Sequence, residues 1–376
     1  MKDVSVVIVN YRVKYFLEQT ILSTQEALNG LKGEIIVIDN DSGDDSIEYL
    51  KSKFKDVIFI ENAANVGFAR ANNMGFDIAS GKYTLILNPD TIIGEKTIHD
   101  CIGWYKSHPD CGGIGVMMID GNGNFLPESK RAFPTPWVSF CKIFGLSSIF
   151  PYSKYFAKYH LRYLDKSKPH QIDILAGAFI FIKTDILKRC NGFDTDFFMY
   201  GEDIDLSYRI TELGYRNYYI PTPIIHYKGE STKKNSMKYV RVFYEAMLIF
   251  FKKHYPHYGK VYSLLIKFAI VLRALIAASK RLLPSLKGNS TLNYNEIFLI
   301  TNQATSIIRQ LPENCSYTIV DRLSNLSIES NRNRKLVIFD NRICSYQSII
   351  ESIRQLNSPF IDFAIYTSQA DTIITP

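Results

Sequence analysis

The 376-residue sequence predicts an α/β protein: a wound, mostly parallel sheet flanked by helices, then a basic amphipathic helical segment and a small C-terminal α/β unit. Three observations predict it. Short apolar runs rich in β-branched residues recur through the first hundred positions, as in strands buried on both faces. Helical stretches separate them at the rhythm of βαβ units, whose crossovers are right-handed. Each run stops at polar residues, and in such sheets ligands sit beyond the carboxyl ends of the strands.

The elements follow in order. Val4 to Val9 reads as the first strand, and Lys14 to Leu28 as a helix with Leu17, Ile21 and Leu28 on one face. A second strand, Glu34 to Ile38, stops at Asp39-Asn40-Asp41-Ser42-Gly43. A short helix, Ser46 to Phe54, leads to a third strand, Val57 to Ile60. After a Gly- and Asn-rich turn and another helix comes a fourth strand, Tyr83 to Leu87, ending at Asn88-Pro89-Asp90. Asp120-Gly121-Asn122-Gly123 is a hairpin signal. Phe133 to His170, rich in Tyr, Phe, Lys and Pro, reads as a loop-and-helix insertion that carries specificity. Ile172 to Ile182 reads as one strand interrupted by Gly177, and a short helix starts at Gly201. Beyond Asn289, strands are expected at Glu296 to Ile300, Tyr317 to Val320, Leu336 to Phe339 and Phe360 to Tyr366, with a helix from Tyr346 to Leu356. The expected units are 1–255, 256–288 and 289–376.

Hydrophobic residues make up 46% and charged residues 22% of the chain, which excludes a disordered or collagen-like class. The six cysteines show no C-x-x-C pair and no metal-ligand spacing, and read as reduced core thiols. Met1 to Tyr11 holds too short an apolar run for a signal peptide, so the chemistry is expected to face the cytoplasm. The net charge of +7 is unevenly spread: residues 228–288 hold thirteen Lys or Arg against two acids, and 252–288 hold no acid. On a helical wheel Val261, Leu264, Leu265, Phe268, Leu272, Leu275 and Ile276 share one face, with Lys260, Lys267, Arg273, Lys280 and Arg281 opposite. Lys267 and Arg273 interrupt any membrane span. The segment reads either as a helix lying in the plane of an anionic leaflet or as one packed on its own domain with a solvated basic face. No nucleic acid is expected as a partner.

Two nucleotide motifs are absent. No G-x-G-x-x-G follows the first strand, and Gly75 to Lys82 has five residues between its glycines and Tyr83 where a P-loop needs Ser or Thr. The candidate chemistry therefore rests on polar strand ends. Asp39 suits hydrogen bonds from a nucleobase or ribose, or bonds to its own turn. Asn65-Val66-Gly67-Phe68-Ala69-Arg70 sets Arg70 in a first helical turn, suited to a phosphate or simply to solvent. Asp90, behind the stiff Pro89, suits a divalent cation held against a diphosphate. Gly201-Glu202-Asp203-Ile204-Asp205 packs three acids into four residues. Asp203 reads there as a general base and Arg209, two turns on, as a phosphate or carboxylate partner; the structural alternative lets the helix N-terminus absorb the charge. His226, after the strand-like Ile224-Ile225, reads as a metal ligand or as a structural histidine.

As an ordered set, Val4 to Tyr11, Val37-Ile38-Asp39-Asn40, Asn65 to Gly75, Leu87-Asn88-Pro89-Asp90, Gly192-Phe193 and Gly201 to Leu206 resemble the inverting family 2 glycosyltransferases of GT-A fold, near their rhamnosyltransferase-like branch. The resemblance covers residues 4 to about 255. It implies a nucleotide-diphosphate sugar donor bound by Asn10, Tyr11, Asp39, Asn65, Gly67, Arg70, Asn88 and Arg209, with Tyr11 and Asp39 on the base and ribose. It implies a divalent metal, Mg2+ or Mn2+, on Asp90 and His226; Asp90 is the surviving acid of the family's D-x-D motif, and Asn88 stands in place of the first. Asp203 matches the catalytic base.

The implied reaction is an in-line displacement with inversion at the anomeric carbon. The acceptor hydroxyl is a poor nucleophile, and general-base help is worth about 10²–10⁴-fold. Cations neutralise the leaving diphosphate. With the basic helix, the expected acceptor is a polyprenyl-diphosphate-linked glycan in cell-surface polysaccharide biosynthesis, and the expected location is the inner face of the plasma membrane, peripherally bound. A sugar-nucleotide pyrophosphorylase would want a Gly-rich loop near the first strand, which is absent. A catalytically silent sugar-nucleotide-binding or scaffold protein is the standing alternative. Residues 289–376 loosely resemble the Rossmann-like region ahead of the catalytic part in some polyprenyl-phosphate sugar transferases, without a motif to assign their role.

Overall fold

The structure, a computed structural model, describes residues 2–228, 237–256, 294–311, 316–326, 333–367, 369 and 371–375. Its main sheet has nine strands: β1 (Lys2–Asn10), β2 (Gly33–Asp39), β3 (Ile58–Glu61), β4 (Gly81–Leu87), β5 (Thr91–Ile92), β6 (Cys111–Ile119), β7 (His170–Ile172), β8 (Phe179–Lys183) and β9 (Arg216–His226). They lie in the order β3-β2-β1-β4-β8-β6-β9-β5, with β7 paired to β9. β1 pairs in parallel with β2 and β4, and β6 in parallel with β9, whereas β8 runs antiparallel to both β4 and β6.

Helices cover both faces, which explains the β-branched runs: alternate residues of each strand enter different cores. Val4, Val6 and Ile8 meet Leu17 and Ile21 of α1 (Lys14–Ala27), Ile47 and Leu50 of α2 (Ser46–Lys53), and Ile98 of the helix Thr97–Ser107. Val7 and Val9 meet Ala69 and Phe76 of α3 (Phe68–Ile78) on the other side. Numbering Thr97–Ser107 as α4, the chain continues through α5 (Pro136–Ile143), α6 (Leu146–Ile149), α7 (Thr184–Arg189), α8 (Glu202–Glu212) and α9 (Met237–His254).

One expected strand is two. Ile172 to Ile182 divides into β7 on β9 and β8 on β4, and the residues between them leave the sheet in a turn closed by the Phe179 N–H on the Ala176 carbonyl at 2.9 Å. The Asp120–Gly123 turn forms as expected, with the Gly123 N–H on the Asp120 carbonyl at 3.0 Å.

A second sheet of five strands holds β10 (Glu296–Ile300), β11 (Tyr317–Val320), β12 (Lys335–Asp340), β13 (Ile361–Thr367) and β14 (Thr372–Ile374), ordered β11-β10-β12-β13-β14. α10 (Thr305–Ile308) and α11 (Tyr346–Gln355) complete it. It shares a core with the main sheet: Ile92, Ile119, Ile225 and Tyr227 join Phe339, Ile349, Ile350, Ile353 and Phe363 in one buried cluster. The Glu95 carboxylate accepts the N–H groups of Tyr346 and Gln347 at 2.8 and 2.7 Å, at the start of α11. Gln19 of α1 donates to Thr367 Oγ1 at 2.9 Å. The basic helix expected over 256–288 lies, from 257 on, outside the described residues. Among the described residues no helix is long and apolar enough to cross a membrane.

Candidate active site

The ends of β1 and β2 carry a closed polar network. Asn10, fully buried, donates from Nδ2 to Asp39 Oδ1 at 2.7 Å and to Ser42 Oγ at 3.1 Å. The Ser42 N–H and hydroxyl both donate to Asp39. Both carboxylate oxygens of Asp39 are therefore held by its own turn, and Asn10 positions it from below. Tyr11 lies half-buried with the Arg12 guanidinium 5.1 Å above its ring, and Arg12 also donates to the Ser42 carbonyl at 2.8 Å. Asn40 fixes the next loop: its Oδ1 accepts from the Val66 N–H and Asn62 Nδ2 at 3.0 and 3.1 Å, and its Nδ2 donates to Asn65 Oδ1 at 3.0 Å. Gly67 at φ +86° lets that loop pass against the chain at Phe198; a Cβ there would sit 2.5 Å from the Phe198 carbonyl oxygen. Arg70 is exposed in the first turn of α3.

Asp90 and His226 meet because β5 pairs antiparallel with the end of β9, placing Thr91 opposite His226. His226 Nε2 lies 3.3 Å from Asp90 Oδ1 and 3.3 Å from the Asn88 amide, and Asp90 is 3% exposed. Among the described residues no three His, Cys, Asp or Glu side chains gather as a metal cage. A carboxylate, an imidazole and an amide nonetheless fit a hard or borderline cation that takes its remaining ligands from a diphosphate and water, as Mg2+ commonly does.

Asp203, in the first turn of α8, forms the third cluster. Its carboxylate accepts from the buried Arg131 guanidinium and from the Gly177 N–H at 3.2 Å, and Arg131 also donates to the Leu175 carbonyl at 2.8 Å. Glu202, 5% exposed, faces the same glycine: a Cβ on Gly177 would lie 3.7 Å from Glu202 Oε1 and 3.5 Å from Asp203 Cβ. Burial, and then the adjacent Asp203 carboxylate, push Glu202 up to about 8. Its carboxyl thus keeps its proton at neutral pH. One residue away, the Ala178 carbonyl accepts the Asn88 N–H at 3.0 Å. The turn that interrupts the expected strand therefore touches the Asp203 cluster through Gly177 and the Asp90 loop through Ala178.

Arg209, expected as a phosphate or carboxylate partner, is paired with a carboxylate. Its Nε donates to Asp205 at 2.7 Å and its Nη1 to the carbonyls of Cys190 and Gly192, so the guanidinium is tied within the fold. Asp205 also pairs with His254 of α9 at 2.7 Å. The i,i+4 spacing of Asp205 and Arg209 on a helix was the available signal for this pairing. The sequence gives no sign of the roles of Arg131 and Arg12, and it marks Asn40 only as part of a polar strand end and Gly177 only as an interruption of a strand. Arg131 stands 72 residues before Asp203 in an irregular stretch, where no local pattern points at a partner.

The profile of Glycosyl transferase family 2 matches residues 5–190, which run from β1 through β8 and carry the Asp39, Asn65 and Asp90 loops. The chain carries a family 2 glycosyltransferase domain. It is similar to the N-acetylglucosaminyl-diphospho-decaprenol L-rhamnosyltransferase of Mycobacterium tuberculosis, 22% identical over 247 residues that span 62% of this chain and 78% of that protein. The low-salt glycan biosynthesis hexosyltransferase Agl10 of Haloferax volcanii is 26% identical over 213 residues, 56% of this chain and 62% of that one. Among solved structures, a mannosyltransferase from Pyrobaculum calidifontis in complex with GDP-Man and Mn2+ covers 76% of each chain at 17% identity and TM-score 0.46. The match accords with the wound α/β sheet, and it makes the protein a glycosyltransferase. Arg131 lies within the matched residues, whereas Asp203 and His226 lie beyond them.

Proposed function

We propose that this glycosyltransferase moves a sugar, with inversion, from a nucleotide-diphosphate donor to a hydroxyl of a lipid-linked glycan, with Asp203 as the base. The observation that supports the reading is the turn at Ala176–Ala178, whose Gly177 N–H donates to Asp203 and whose Ala178 carbonyl accepts the N–H of Asn88, two residues before Asp90. The donor's base and ribose would lie over Tyr11 and Asp39, with Asn10 and Ser42 fixing the Asp39 carboxylate and Asn40 fixing the Asn65 loop. Asp90, His226 and the Asn88 amide oxygen would hold a divalent cation, which when bound neutralises the charge that builds on the leaving diphosphate. Asp203 accepts the proton of the attacking hydroxyl. Arg131 and the Gly177 N–H orient its carboxylate, and the neutral Glu202 beside it adds no second negative charge to that end of the site. The acceptor class rests on the decaprenol-linked substrate in the name of the mycobacterial relative and on the acid-free basic stretch at 252–288, which would lie on an anionic leaflet at the cytoplasmic side.

The test is Asp203→Asn, assayed with a panel of nucleotide sugars, added Mn2+ or Mg2+, and a polyprenyl-diphosphate-linked acceptor. Donor-induced thermal stabilisation should persist while transfer is lost. Near parental turnover in that variant would remove Asp203 as the base.

A further inference from the structure

The segment between β6 and β7 exposes an aromatic surface of unusual composition. Six of the fifteen large hydrophobic side chains that stand exposed among the described residues fall within nineteen positions: Trp137, Phe144, Ile149, Phe150, Tyr152 and Tyr155. Tyr152 and Tyr155 are 76% and 77% exposed, and Ile149 66%. They form a surface and not scattered points. Ring centroids lie 5.7 Å apart for Trp137 and Phe140, 4.4 Å for Phe140 and Phe144, 6.1 Å for Trp137 and Phe156, and 5.3 Å for Phe150 and Phe156. The inner side of α5, Val138 and Cys141, is already buried. A helix covering a core shows a polar outer face to water; α5 shows Trp137, with Phe144 exposed directly after its last residue.

Charge decides what covers this surface. From Ser129 to Leu164 the sequence has six Lys or Arg and no acid, and Lys142, Lys154, Lys158 and Arg162 stand exposed around the aromatic residues. A second copy of the same face would bring like charges together. Aromatic side chains ringed by Lys and Arg suit the headgroup level of an anionic bilayer, where the rings sit at the boundary and the cations meet lipid phosphates. The same segment reaches the proposed base: Arg131 pairs with Asp203, and the Tyr159 carbonyl accepts the Ala132 N–H at 2.9 Å.

We propose that α5, α6 and the following turn form a bilayer-docking face that seats on anionic phospholipid and holds the Asp203 side of the site against the headgroups. This rests on the reading of the acceptor as lipid-linked, and it names a docking element separate from residues 257–288.

The chain has two tryptophans, and Trp104 is stacked on His108. In a Trp104→Phe background, Trp137 is a single probe of the surface. With full-length protein and vesicles of phosphatidylcholine plus phosphatidylglycerol, Trp137 emission should shift to the blue and be quenched by brominated acyl chains. Phosphatidylcholine vesicles alone, or high salt, should give little effect. Lys154→Glu and Ile149→Glu, both on exposed side chains, should each weaken vesicle binding, by about fivefold for the lost cation, while transfer to a water-soluble acceptor glycan is retained. Cosedimentation with anionic vesicles without any change at Trp137 would overturn the proposal and leave binding to another segment. A blue shift that grows with protein concentration in the absence of vesicles would also overturn it, in favour of self-association. Quenching of Trp137 by vesicles in a protein that does not use a lipid-linked acceptor would uphold the docking face and defeat the acceptor reading.

Discussion

Arg131→Met isolates the part of the site that the fold holds most firmly. Arg131 is 8% exposed, and its guanidinium is shared between the Asp203 carboxylate and the Leu175 carbonyl. Methionine keeps much of the aliphatic stem but leaves a part-buried carboxylate without its cation. Removing one partner of a buried ion pair costs about 3–5 kcal/mol. For a unit of this size each kcal/mol lowers the melting temperature by about 2–4 °C, so the variant should melt about 6–20 °C below the parent. Transfer should fall with it, because the Asp203 carboxylate loses the guanidinium that orients it. The double variant Arg131→Met with Asp203→Asn removes both charges and should be less destabilised than the two single losses added together, by about 0.5–3 kcal/mol of coupling. Melting curves across pH 4 to 8 for the parent, both single variants and the double variant provide the measurement. A single Arg131→Met variant that melts within about 2 °C of the parent and transfers sugar at the parental rate at pH 7 would refute the assignment of Arg131 as the residue that holds Asp203.

Two further outcomes follow from the same geometry. Glu202, pushed up to about 8, binds a proton in the folded state that the unfolded chain releases near pH 4.5, so the parent should lose stability as pH rises between those values; Glu202→Gln should flatten that fall, read as melting temperature against pH. Glu95→Ala removes the carboxylate that accepts two N–H groups at the start of α11 and should cost about 0.5–2 kcal/mol, with faster amide exchange at Tyr346 and Gln347 than in the parent.

The strands were legible because burial on two faces writes itself into composition: Val4 to Val9 lies inside β1, and every second residue faces a different core. The polar strand ends were legible for the same reason, since Asn10, Asp39 and Asp90 close runs that are otherwise almost wholly apolar. Pairing was not legible. β8 enters between β4 and β6 in antiparallel sense, and β6 finds β9 about a hundred residues later; neither choice leaves a local period in the sequence. The partner of Asp203 was hidden by the same separation. The turn at Gly177 was read only as an interruption, because its contacts with Glu202 and Asp203 depend on where α8 packs. Asp39 shows the reverse case: Ser42, three residues on, carries the information that the carboxylate bonds its own turn.

The position of the second sheet bears on the donor end of the site. α1 lies between the two: Gln19 donates to Thr367 of β13, while the neighbouring Thr20 hydroxyl lies 2.8 Å from the carbonyls of both Pro89 and Thr91, on either side of Asp90. Ile92, two residues after Asp90, and Ile225, directly before His226, are buried against α11 and β12. The Tyr227 N–H closes the arrangement on the Asp90 carbonyl at 3.0 Å, with its ring in the shared core. Interiors of this kind are close-packed and transmit displacement. A disturbance of the contact between α11 and Ile92 or Ile225 therefore acts first on the spacing of Asp90 and His226, whereas the Arg131–Asp203 pair, built on α8 and the Ala176–Ala178 turn, draws its support from the other side of the main sheet.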